Sequence, residues 1–134
     1  MMNDIYCLKI EVNIPGQMQL LDMILGVEHD MEEAHTWVLT MDYDKGFGDL
    51  PIFYITNFLD ILKNKYADLE RIGIRRDMIS IWRCTSQPGE VYMEYWPEEM
   101  SLMASEGIKF RILCRVDAEE GMEPLILPYE GFRC

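Results

Sequence analysis

The spacing of apolar and polar positions changes period several times along the chain, and each change marks an element. In Tyr6, Cys7, Leu8, Lys9, Ile10, Glu11 and Val12, large apolar residues alternate with small or charged ones, the period of a strand with one face more buried than the other. Pro15 and Gly16 end it. Met18, Leu20, Leu21, Ile24 and Leu25 then form a helical stripe that stops at Gly26, a natural C-terminal cap. After an acidic loop holding His29 and His35, Trp37, Leu39, Met41 and Tyr43 alternate with Val38, Thr40 and Asp42, which predicts a second strand. Residues 44–49 read as a turn or mobile loop.

A long helix is predicted over residues 56–72, with Thr56 as N-cap, Phe58, Leu59, Leu62, Tyr66, Leu69 and Ile72 on one side, and Gly73 closing it. Two β-rich runs, 78–85 and 91–96, flank Ser86-Gln87-Pro88-Gly89 and predict a hairpin. Pro97 suits the first turn of a third helix, Glu98 and Glu99 sit where its dipole favours negative charge, and Gly107 ends it. Ile108, Phe110, Ile112, Cys114 and Val116 alternate with Lys109, Arg111, Leu113 and Arg115 in the most regular strand pattern of the chain. Residues 117–134 read as an extended tail packing back over the body. The order is β-α-β-α-β-β-α-β with a C-terminal extension. It predicts an α+β fold with a single mixed or antiparallel sheet of about five strands and two or three helices, packed largely on one face. Strand, short helix, strand occurs in both halves, but the residues do not match as a repeat would.

With 134 residues and 49% apolar content, the chain suits one domain, 1–134, with 117–134 as its extension. The charge is the anomaly: 24 Asp and Glu against 12 Lys and Arg give a net charge of -12. Nucleic-acid affinity is mostly counterion release driven by Lys and Arg, so nucleic-acid binding is disfavoured. No segment approaches the roughly 20 apolar residues of a membrane span, and residues 1–7 lack the features of a signal peptide. A cytoplasmic address is expected. Cys7, Cys84, Cys114 and Cys134 show neither a staple nor a metal-knuckle spacing. Reduced cysteines, three of them packed in strands, fit that address. The 11 methionines read mostly as core filling.

The 58–72 helix, the passage Val91-Tyr92-Met93-Glu94-Tyr95, the helix start Trp96-Pro97-Glu98-Glu99-Met100, the run Leu102-Met103-Ala104-Ser105-Glu106-Gly107-Ile108 and the strand through Phe110 and Ile112 together form a pattern. It resembles a family of small bacterial proteins known as domain of unknown function 4279; the first strand and Trp37 are compatible with it. The resemblance implies a compact α+β domain of a kind sometimes found among bacterial toxin-immunity loci. It supplies no catalytic residue, and the acidic tail departs from the compact pattern.

His29, Asp30, Glu32, Glu33 and His35 put both histidines beside carboxylates in one loop, and imidazole with carboxylate suits zinc or iron. A solvated acidic loop accounts for them better, since loops collect polar residues and no further ligand stands out. The pairs Glu32-Glu33, Glu98-Glu99 and Glu119-Glu120 are adjacent in sequence, whereas a glycosidase needs carboxylates facing each other across a cleft. No nucleophile elbow, phosphate loop or dinucleotide fingerprint is present. No catalytic residue, cofactor or metal is therefore assigned. Rings at Trp37, Trp82, Trp96, Tyr43, Tyr92 and Tyr95 are mostly strand filling, yet the 91–96 run carries them on both faces. If helices cover one face only, some rings meet solvent or a partner.

Residues 28–49 and 117–130 are strongly negative, whereas Arg71, Arg75, Arg76, Arg83, Lys109, Arg111 and Arg115 gather in the second half. Solubility explains net charge most simply; its sidedness suggests steering toward a basic partner. The expectation is a non-catalytic protein-binding module, an immunity-type protein neutralising a basic toxin, contacting its partner through Glu28, Asp30, Glu32, Glu33, Asp42, Asp44, Asp49, Tyr92 and Trp96. Alternatives are a small ligand- or metal-binding protein or enzyme using the acidic loop from His29 to His35, and a domain that self-associates through a strand edge. A monomer or a homodimer is expected.

Overall fold

A computed structural model describes residues 3–42, 54–87 and 93–116. The elements run β1 (Asn3–Glu11), α1 (Gln17–Leu25), β2 (Met31–Glu33), β3 (Thr36–Asp42), α2 (Tyr54–Leu62), α3 (Tyr66–Arg71), a 3-10 turn (Arg76–Met78), β4 (Ile79–Gln87), α4 (Pro97–Glu106) and β5 (Lys109–Val116). The five strands form one sheet in the order β2-β3-β1-β4-β5. Every neighbouring pair is antiparallel except β4 with β5, which run parallel. The sheet is therefore mixed and the fold α+β. Parallel neighbours need a crossover, and α4 supplies it. Helices α1 and α4 both end on a glycine in the left-handed region, Gly26 at φ 72 and Gly107 at φ 71, where other residues are strained.

One face of the sheet makes the main core. Leu8, Ile10, Trp37, Leu39, Ile79 and Ile81 pack there against Leu21 and Leu25 of α1, Phe58 and Leu62 of α2, Leu69 of α3 and Met103 of α4. Alternation puts Cys7, Val38 and Cys84 on the other face, where they form a small cluster with Ile5 and Trp82. Buried and partly buried methionines join the main core at 18, 41, 78, 100 and 103, whereas Met23 points outward.

Four expectations need correction. The helix foreseen over 56–72 is two helices, because Asn64 adopts φ 63 and breaks the backbone ladder after Leu62; the described residues hold four α-helices, not two or three. The described part of the expected hairpin does not pair with β4. Met93 to Trp96 lie outside any strand, because both edges of β4 are already taken, one by β1 and the other by β5. The fifth strand is instead β2, inside the segment expected to be an acidic loop. Its hairpin with β3 turns at His35, which adopts φ 58. Finally, Cys7 is a buried thiol and Cys114 an exposed one, but Cys84 is disulfide-bonded, with its partner outside the described residues. The expectation that all cysteines are reduced is overturned at that position. Among the described residues no helix is long and apolar enough to cross a membrane.

Candidate functional site

The segment after α1 owes its shape to Asp22. Its Oδ1 accepts from the Trp37 indole N–H at 2.7 Å and from the His29 backbone N–H at 3.0 Å, and lies 2.9 Å from His29 Nδ1. Burial opposes its charge, but the bonds from the His29 ring, the Trp37 indole and the His29 backbone outweigh that and hold the carboxyl below its ordinary range. His29 is therefore aimed at Asp22, while His35 forms the β2–β3 turn. Among the described residues no group of three or more His, Cys, Asp or Glu could hold a metal.

The acids expected to face a partner divide accordingly. Asp30 accepts two bonds from the Thr40 backbone N–H, at 2.9 and 3.0 Å, and one from its hydroxyl at 2.8 Å, so it fastens the chain to β3. Glu33 pairs with the largely buried Lys9 at 3.2 Å. Both are engaged within the molecule, Asp30 while exposed and Glu33 while partly buried. Glu28 is exposed. Glu32 and Asp42 fall in β2 and β3 without a described side chain, and Asp44, Asp49 and Tyr92 lie outside the described residues.

Trp96 is different: the residue is 58% exposed on a backbone fixed from both sides. Ahead of it, the Tyr95 ring meets Phe110 edge-on at 4.9 Å, and its hydroxyl accepts from Arg83 Nη1 at 3.1 Å. Arg83 is in turn forked onto Asp4 at 2.8 and 3.0 Å and lies over the Tyr6 ring, which stacks on Tyr54 at 4.4 Å. The Asp4 carboxylate holds the Arg83 guanidinium firmly charged. Burial and a hydrogen bond with Tyr95 push the Tyr6 hydroxyl well above its ordinary value. Behind Trp96, Pro97 starts α4 and restricts the preceding residue to extended backbone, as observed at φ -77, ψ 143. Glu99, buried on the first turn, accepts a bond from the Trp96 backbone N–H, half of a capping box; burial raises its carboxyl despite that bond. Glu94 and Glu98, close in sequence on either side, are exposed, as are Leu102 of α4 and Ile112 of β5. The sequence flagged Trp96 but missed its clamp, because Arg83 and Asp4 are 79 positions apart and meet only through the β1–β4 pairing.

Several cations of the second half meet partners within the chain. Arg71 pairs with Asp68, Arg75 with Asp77 and Arg83 with Asp4, and Arg76 donates to the Glu106 carbonyl while covering the Tyr66 ring. On the face away from the helices, Trp82 has Lys9 at 5.0 Å and Arg111 at 5.3 Å from its ring centre. With this geometry in view, no protein-family model, curated protein or solved structure matches the chain.

Proposed function

We propose that the chain is a non-catalytic protein-binding module of the immunity type, which neutralises a basic toxin. The observation that carries the reading is Trp96: a large ring, mostly exposed, on a backbone held by the Tyr95–Arg83–Asp4 clamp and the Glu99 cap. Interface hot spots are enriched in such rings, and a pre-ordered anchor loses little freedom on binding. The exposed acids Glu94 and Glu98 lie close in sequence to it, and Glu28, Glu32, Asp42, Asp44, Asp49 and Tyr92 remain candidates for a wider acidic contact. Asp30 and Glu33 are left out of it. A net charge of -12 would speed capture of a basic partner. The resemblance to the domain of unknown function 4279 family belongs to the same proposal.

The intact chain is used as bait in native lysate at low and high salt, beside Trp96→Ala and a Glu94→Lys/Glu98→Lys double variant. The proposal expects a basic protein held by the wild type, weakened by salt and lost from both variants. Capture that ignores both variants would place the contact elsewhere. Protection of growth on co-expression with the captured protein tests the immunity reading. A cytoplasmic setting is part of the proposal and rests on the thiols Cys7 and Cys114, whereas the Cys84 disulfide fits an oxidising compartment. Lysing cells directly into denaturant that contains the alkylating agent decides: four labelled cysteines per chain support the cytoplasm, and two support the oxidising compartment.

One observation favours a second reading. The Asp22–His29 bond orients an imidazole as carboxylates do behind metal-ligating histidines. If the segment from His29 to His35 holds a metal, added zinc raises the melting temperature of the wild type and not of His29→Ala.

A further inference from the structure

Strand β5 ends the sheet: β4 occupies one of its edges, and among the described residues no strand pairs with the other. Such an edge presents unpaired N–H and C=O groups, a template for another strand. Edge charge often serves only to block this, and Lys109, Arg111 and Arg115 would do so for a neutral or basic strand. Two features go beyond blocking. The first is that the edge is two-faced. Pairing of Trp82 with Arg111 and of Ile81 with Phe110 puts Lys109, Arg111, Leu113 and Arg115 on the sheet face away from the helices. Phe110 and Ile112 fall on the helix face, where Ile112 is 46% exposed. The second is charge. Lys9, Arg71, Arg75 and Arg83 each meet a carboxylate, yet none of the three β5 cations forms an ion pair among the described residues, and all three are exposed. A chain of net charge -12 does not need three clustered cations for solubility.

We propose that the β5 edge binds an extended acidic segment of a partner protein as an added strand. Its acidic side chains, at every second position, lie over Lys109, Arg111 and Arg115, and its apolar ones lie beside Phe110 and Ile112. Backbone pairing supplies affinity, and the alternation supplies selectivity. A second copy of this chain fits less well. Antiparallel self-pairing centred on Ile112 sets Lys109 opposite Arg115, and centring on Arg111 sets that residue against its own copy; like charges directly opposite are destabilising. This reading calls for an acidic partner and the Trp96 reading for a basic one, so either proposal can fail without the other.

The probe is a labelled synthetic peptide alternating glutamate with valine. Its controls are a lysine–valine peptide and two glutamate–valine peptides N-methylated at alternate residues, one in each phase. The intact chain should bind the glutamate–valine peptide at low salt, ignore the lysine–valine one, and show slowed amide exchange on β5 but not on β2. At least one N-methylated phase should bind about tenfold more weakly, the loss expected for backbone pairing. Arg111→Glu should weaken binding comparably at an unchanged melting temperature. The peptide comparison needs no variant. Absence of binding, binding indifferent to both N-methylated phases, or exchange protection on β2 would overturn the proposal. So would concentration-dependent protection of β5 in the unliganded chain, which would mark a second copy as the occupant.

Discussion

Three donor groups reach Asp22 from beyond its own helix, so this carboxylate joins α1 to the start of β2 and to the core residue Trp37. Its folded carboxyl lies below the ordinary range. The stability it contributes is therefore complete above the unfolded value of about 3.9 and is lost as pH falls through the folded one. Asp22→Asn should lower the urea midpoint at pH 7, with a cost of about 1–3 kcal/mol. The gap between variant and wild type should shrink at pH 3, and a gap independent of pH would exclude the charge as its source. The thiols make a second residue-scale contrast. Burial pushes Cys7 up to about 12, and the thiolate is the reactive form, while Cys114 stands exposed on β5. Iodoacetamide at pH 8 should label Cys114 quickly and Cys7 only after unfolding, as peptide mass spectrometry would show. Alternation within one strand foretold the burial of Cys7. It misplaced Cys114 because exposure there comes from β5 lying at the sheet edge, and a strand's own pattern does not encode its neighbours. The partners of Asp30 and Glu33 were hidden for the same reason, since they come from β3 and β1.

Among the elements, β1, α1, β3, α4 and β5 follow from period, proline and glycine alone. The break between α2 and α3 does not, because Phe58, Leu59, Leu62, Tyr66 and Leu69 keep a helical spacing across it. What divides them is Asn64 at φ 63, a conformation that asparagine tolerates and β-branched residues resist. Asn64→Val should cost about 1–2 kcal/mol by thermal denaturation, and Asn64→Gly little or nothing. Equal losses in the two variants would mean that the asparagine side chain matters and not the backbone angle. The false hairpin has a topological origin. Two β-rich runs around Pro88-Gly89 satisfy every local rule for pairing, but β1 and β5 compete for the same two edges of β4 and occupy both. The short β2 was hidden by its composition, because Glu32 and Glu33 read as loop until β3 pairs with them.

For the whole molecule, the net charge of -12 is distributed less simply than the sequence suggested. Arg71, Arg75 and Arg83 of the basic half meet carboxylates, Asp30 and Glu33 of the early segment bond to neighbouring strands, and β5 keeps a row of cations on one face. The binding reading therefore rests on one ring more than on the acidic total. Trp96 is not among the buried core residues, so Trp96→Ala should cost less than the roughly 3–5 kcal/mol of a buried ring, and comparison at equal folded concentration separates binding from folding. The most direct measurement is a titration of the captured basic protein, once purified, into wild type and Trp96→Ala at equal folded concentration by calorimetry. The account predicts a loss of at least about tenfold in affinity, as for an interface hot spot, in a variant that is still folded. An affinity equal for the two chains would contradict it.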